Sequence, residues 1–190
     1  NKFMIKINQI VPDFKLKAYH QEKIKDIKLS DYKGKWIVLL FYPGDFTFIC
    51  PTELEEAANM REELEKKGAE VLSISTDSVY VHKAWHEQSP AIKNVKFPML
   101  SDPKGDVAKE FGAYINEDGV CLRGTFVIDP DGILKTMEIH DNSIGRSGKE
   151  LMRKLDAAIF IRNNKGLVCP ASWVPGADTL KPGLDLVGKI

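Results

Sequence analysis

Residues 36–42, WIVLLFY, are apolar throughout and largely β-favouring, the pattern of a strand buried on both faces. The stretch that follows at 52–67 changes period: Leu54, Ala57, Ala58, Met60 and Leu64 fall roughly on one face of a helix. Glu53, Glu55 and Glu56 occupy its first turn, and Gly68 after Lys66 and Lys67 is a stop signal. Residues 69–75, AEVLSIS, then read as a second strand. Strand, helix and strand make a βαβ unit, whose two strands run parallel with a right-handed crossover.

Beyond it, Asp77 or Ser78 can cap a helix that runs to Gln88 and is ended by Ser89-Pro90. A short strand is predicted at 97–100 and a short helix at 104–111, closed by Gly112. Two β-rich runs, 124–128 and 133–140, flank Asp129-Pro130-Asp131-Gly132, strong turn chemistry that predicts a hairpin. Ser147-Gly148-Lys149-Glu150 is a capping box, and Leu151, Met152, Leu155, Ala158 and Ile159 form the apolar stripe of a last helix. This order predicts an α/β, thioredoxin-like fold: a central mixed β-sheet flanked by helices, spanning residues 1–162. Residues 163–190 lose all periodicity around Pro170, Pro175 and Pro182, and read as an extended C-terminal arm. The arm still carries Trp173, Val174, Leu184, Leu186 and Val187, so it is expected to pack on something, a second subunit included.

Composition narrows the function. The chain has 190 residues, 27 of them Lys or Arg and 27 Asp or Glu, so no net charge draws it to nucleic acid or to an anionic membrane. No apolar run approaches the ~20 residues of a membrane helix. The opening NKFMIKINQIVPDF has scattered lysines and no secretory apolar core, which favours a cytoplasmic protein. The three cysteines, Cys50, Cys121 and Cys169, are too few and too far apart for a secreted disulfide framework. No Cys-x-x-Cys or Cys/His spacing suits structural zinc.

Cys50 stands out by position. If the helix begins at Pro51, Cys50 is its N-cap, facing free backbone N–H groups and the positive end of the helix dipole. Both favour thiolate over thiol, and the Pro43-Gly44-Asp45 turn is expected to expose the junction, which argues against a cysteine packed as a small apolar residue. A thioredoxin-type dithiol needs a cysteine at position 53, where Glu53 stands. A cysteine hydrolase needs a histidine base, and His20, His82, His86 and His140 carry no recognisable signature for one.

Pro43-x-x-x-Thr47-x-x-Cys50, within FYPGDFTFICPTE, resembles the active-site signature of the typical two-cysteine peroxiredoxins, closest to their bacterial members. The resemblance continues through STDSVYVHKAWH, LSDPKGDVAKEFG, LRGTFVIDPDGIL, IGRS and VCPASWVPGADTLKPGLDLVGKI, and so covers nearly the whole chain. It implies a thiol peroxidase acting on hydrogen peroxide and organic hydroperoxides, with Cys50 peroxidatic and passing through a sulfenic acid. It implies that Thr47 and Arg123 stabilise thiolate and peroxide, that Pro43 shields the pocket, and that Glu53 and Arg146 brace the cysteine loop. Cys169 matches the resolving cysteine, which in this group comes from the other subunit of a homodimer, with dimers assembling into rings of five. A flavoprotein disulfide reductase or a thioredoxin-like protein is the implied reductant, with no metal, haem or flavin in the chain itself. Cys121 and Trp85 read as structural. A holdase chaperone, or a peroxide sensor relaying its disulfide to another protein, are the competing expectations.

Overall fold

The computed structural model describes residues 4–190; residues 1–3 of the expected domain lie outside the described residues. The first two strands, β1 (Lys15–His20) and β2 (Lys23–Lys28), form an antiparallel hairpin that the apolar pattern did not announce. The two expected strands follow as β3 (Trp36–Phe41) and β4 (Ala69–Ser75), paired in parallel as predicted. The helical stretch between them is two helices, α1 (Cys50–Asn59) and α2 (Arg61–Lys66), separated at Met60, whose ψ of −3° opens the helix locally.

α3 (Val79–Gln88) is capped by Ser78, whose Oγ accepts the Val81 N–H at 3.3 Å. β5 (Met99–Ser101), α4 (Asp106–Glu110) and a two-stranded ribbon of β6 (Tyr114–Ile115) and β7 (Val120–Cys121) come next. The predicted hairpin is β8 (Arg123–Ile128) and β9 (Leu134–His140). Its turn closes as the chemistry demands: Asp129 Oδ1 accepts the N–H groups of Asp131 and Ile133, and Gly132 takes φ +82°.

Seven strands form one mixed sheet in the order β2-β1-β5-β4-β3-β8-β9, which places β3 and β4 in its interior and explains their unbroken apolar runs. Adjacent side chains of a strand point to opposite faces. Phe41 packs on Phe111, just past α4, at 5.2 Å between ring centroids, whereas Tyr42 meets Trp85 of α3 at 6.0 Å. Helices therefore cover both faces, as the sequence order implied. The Phe41 face holds a core of Ile37, Leu39, Leu72, Ile74, Phe111 and Phe126 among other buried apolar residues.

The chain divides into two compact units, Asn1–Gly148 and Lys149–Ile190, so that most of α5 (Gly148–Asn163) groups with the arm. Within the second unit the arm is ordered by its own contacts. Val168 and Leu180 form an antiparallel bridge, and Trp173 is buried against Phe160 with its indole N–H donated to Ala177 O at 3.1 Å. Leu184, Val187 and Ile190 stay exposed.

Candidate active site

The sheet brings two distant parts of the chain to one end. Phe41, the last residue of β3, pairs with Gly124 of antiparallel β8, so Arg123 sits where β3 hands over to the cysteine loop. Gly124 has no space for a side chain: a Cβ there would lie 2.8 Å from the Phe126 ring. The loop then returns to the same end as α1.

Cys50 is not the N-cap. Ile49, in helical conformation, takes that place, and its carbonyl accepts the N–H groups of Thr52 and Glu53. Cys50 is the first helical residue and Pro51 follows it. Nor is the junction open: Cys50 is fully buried, because Arg123 closes over it. Arg123 Nη1 donates to Cys50 Sγ at 3.4 Å and to Glu53 Oε2 at 2.9 Å, while its Nε donates to the Asn142 carbonyl at 3.0 Å. The guanidinium is thus aimed by three acceptors, and a full positive charge is held against the sulfur in a water-poor site, where it counts for far more than on the surface.

Glu53 and Arg146 are part of the same cluster and no surface pair, since both side chains are 6% exposed. Arg146 donates its backbone N–H and Nε to Glu53 Oε1, at 2.8 and 3.0 Å, and its Nη2 to Oε2 at 2.8 Å. Arg146 Nη1 reaches Gly124 O and Thr125 Oγ1, tying the loop before α5 to β8. Burial pushes the Glu53 carboxyl up, but the Arg146 hydrogen bonds and charge, with Arg123 behind them, outweigh it and hold the pKa below its ordinary 4.5.

A carboxylate depressed in the folded state contributes stability that is fully present above its unfolded pKa and lost as pH falls through its folded value. Acid unfolding of Glu53→Gln, followed by circular dichroism from pH 6 downward, is therefore expected to lose stability less steeply below about pH 4.5 than the parent. Equal steepness would contradict the brace.

Thr47 and Pro43 lie on the loop between β3 and α1. The Thr47 hydroxyl donates to Gly44 O at 2.7 Å, which leaves its oxygen free to accept a hydrogen bond. Phe46, at φ +55°, packs against Trp85 with ring centroids 6.3 Å apart and the planes tilted by 43°, so Trp85 supports the loop as well as the core. Burial pushes the Cys121 thiol far above its ordinary range, which fits a structural and inert residue. Cys169 follows the bridge residue Val168 in the second unit; partial desolvation raises its thiol, opposed by the nearby Arg153. All three cysteines are free thiols here.

A buried network under the loop escaped the sequence reading. Tyr42 Oη donates to Asp45 Oδ1 at 2.7 Å, and Asp45 Oδ2 lies 2.7 Å from His82 Nδ1, whose Nε2 faces Leu100 O at 3.1 Å. Burial raises the Asp45 carboxyl, with the His82 contacts opposing it. The signal was present: Val79, His82 and Trp85 share the spacing of a helix's buried face, so His82 had to be a buried polar group with partners.

A free cysteine, an arginine aimed at it and a carboxylate brace are the parts of a sulfur nucleophile, and comparison with known proteins says which kind. The AhpC/TSA family profile matches residues 7–137. The chain belongs to that family. It is 50% identical to alkyl hydroperoxide reductase C of Pseudomonas aeruginosa over 184 residues, 97% of this chain and 98% of that one. It is 47% identical to the Staphylococcus aureus alkyl hydroperoxide reductase C over 186 residues, 97% and 98% of the two chains. Among solved structures, the reduced 2-Cys peroxiredoxin of Plasmodium vivax matches with a TM-score of 0.90 at 33% identity, over 94% of both chains. Enterococcus faecalis AhpC matches with a TM-score of 0.84 at 42% identity, over 86% of this chain and 98% of that one. The family resemblance and the thioredoxin-like fold read from the sequence are thus borne out. Among the described residues no helix is long and apolar enough to cross a membrane.

Proposed function

We propose that this AhpC/TSA protein is a thiol-dependent peroxidase in which Cys50 reduces hydrogen peroxide and organic hydroperoxides and Cys169 of a second copy resolves the product. The observation that carries the reading is the Arg123 Nη1 contact to Cys50 Sγ, in a site where Glu53 and Arg146 fix the guanidinium. The positive charge stabilises the thiolate before reaction and the charge developing on oxygen during it. The thiolate attacks the terminal peroxide oxygen, so the S–O bond forms as the O–O bond breaks. The departing alkoxide or hydroxide takes a proton to leave as alcohol or water. Thr47, its own hydrogen committed to Gly44 O, accepts the peroxide O–H and orients the substrate. Pro43 shields the pocket from water.

Cys50 sulfenic acid is then attacked by the Cys169 thiolate, forming a disulfide and releasing water. The exposed Leu184, Val187 and Ile190 suit an arm that docks on a partner copy, in a homodimer and in a ring of five dimers. A thiol reductant, flavoprotein or thioredoxin-like, restores both thiols. A disulfide renewed at every turnover suits the cytoplasm, where such reductants are maintained.

The test is Cys169→Ser with a protein dithiol as reductant. One equivalent of peroxide per chain is expected to disappear in a burst, after which steady turnover falls by about a hundredfold or more, the resolving attack having lost its preset geometry. Unchanged steady turnover would contradict the assigned role of Cys169.

A further inference from the structure

The Thr47 hydroxyl is oriented by one acceptor, Gly44 O. The N–H of that same peptide group belongs to Asp45, and it is donated to Asp77 Oδ2 at 2.8 Å. Asp77 stands two residues past the end of β4 without capping α3, a task that Ser78 performs. Instead Asp77 Oδ2 also accepts the Ser75 hydroxyl at 2.8 Å, and its own N–H returns to Ser75 Oγ at 3.1 Å. Ser75 is fully buried in β4, whose neighbour Ile74 still accepts the Tyr42 N–H across the sheet. The carboxylate is therefore fixed to a rigid strand while it holds a loop.

A peptide group held at both ends cannot rotate. Hydrogen bonding of its N–H polarises its C=O and makes that oxygen a stronger acceptor, the more so when the partner is ionised. A hypothetical Cβ on Gly44 would lie 3.4 Å from Asp77 Oδ2 and 3.9 Å from Thr47 Cγ2, so both side chains flank this glycine.

We infer that Asp77 is a positioning residue of the peroxidase site: through the 44–45 peptide it keeps the Thr47 hydrogen on Gly44 O and its lone pairs open to the hydroperoxide O–H. The inference rests on the role proposed above for Thr47. Asp77 touches neither sulfur nor substrate. It acts by fixing which way a hydroxyl can donate.

A double-mutant cycle separates this from a merely structural role, because two groups acting through one contact are not additive. The quantity measured is the second-order rate of Cys50 oxidation by hydrogen peroxide, with melting temperature recorded beside it. Thr47→Val is expected to slow oxidation, and Asp77→Ala to slow it about tenfold, short of the roughly hundredfold that a 1 Å misplacement can cost. Asp77→Asn keeps an oxygen that accepts both bonds and is expected to recover all but about threefold, the neutral acceptor being weaker. In the Thr47→Val background both Asp77 substitutions are expected to cost nothing further. The same loss in both backgrounds, or no loss from either Asp77 variant with Thr47 present, would overturn the inference. If Asp77→Ala does not fold, Asp77→Asn carries the cycle with the same two outcomes. A Thr47→Val variant as fast as the parent would overturn the Thr47 reading itself, and the inference with it.

Discussion

Replacing Cys50 with serine is expected to remove peroxide turnover while leaving the fold intact. Serine fits the space, since oxygen is smaller than sulfur and the site is fully closed around it. Arg123 and Glu53 keep their own ion pair, so the variant should melt close to the parent temperature. What disappears is the sulfur nucleophile of the proposed reaction. An alcohol stays protonated at neutral pH even beside one guanidinium, and removal of a nucleophile costs on the order of a thousandfold or more in rate. Peroxide consumption by purified Cys50→Ser with excess dithiol measures this. Retention of a tenth of the parent rate would place the chemistry on another residue.

The second large effect is expected at Arg123. Arg123→Met removes the charge that faces the sulfur and, in the proposed reaction, the developing oxyanion, and loss of such a preorganised donor costs about 10²–10³ in rate. Lysine is no remedy. Nη1 serves Cys50 and Glu53 together while Nε serves Asn142 O, a planar fork that a single ammonium on a flexible stem does not reproduce. Arg123→Lys should therefore recover less than tenfold of the loss, as the rate of Cys50 oxidation in a stopped-flow experiment will show. The stability cost is smaller than for an ordinary broken buried pair, about 3–5 kcal/mol, because Arg146 still neutralises Glu53 through three hydrogen bonds. Full activity in Arg123→Lys would show that charge alone, without direction, suffices.

The parts of the fold legible in the sequence are those where burial dictated composition. β3 and β4 read clearly because both faces of each are covered, and the β8–β9 hairpin because Asp129 and Gly132 have the chemistry its turn needs. The β1–β2 hairpin was hidden for the opposite reasons. Its strands carry five lysines between them, and its turn places Gln21 and Glu22 at φ +51° and +61° where glycine or asparagine is the usual signal. The break at Met60 leaves the apolar spacing of α1 and α2 almost undisturbed, so periodicity could not mark it.

The site divides in the same way. Cys50 and Glu53 were legible from FYPGDFTFICPTE, and Arg123 and Arg146 from the distant matching stretches LRGTFVIDPDGIL and IGRS, and the structure brings all four into one buried cluster. Their burial was not legible: it arises from Arg123 folding back over Cys50, a contact between residues 73 apart in sequence. Asp45, Asp77 and His82 were passed over because each has an ordinary alternative, a loop acid, a helix cap and a core histidine. Only their mutual distances show that they hold up the loop carrying Thr47.

The most direct test is peptide mass mapping of the reduced protein after one equivalent of hydrogen peroxide, with a non-reducing gel beside it. A Cys50–Cys169 disulfide in a dimer-sized band is the expected result, joining the peroxidatic site of one copy to the arm of another. Cys50 held as a sulfenic acid with Cys169 still a free thiol would contradict it.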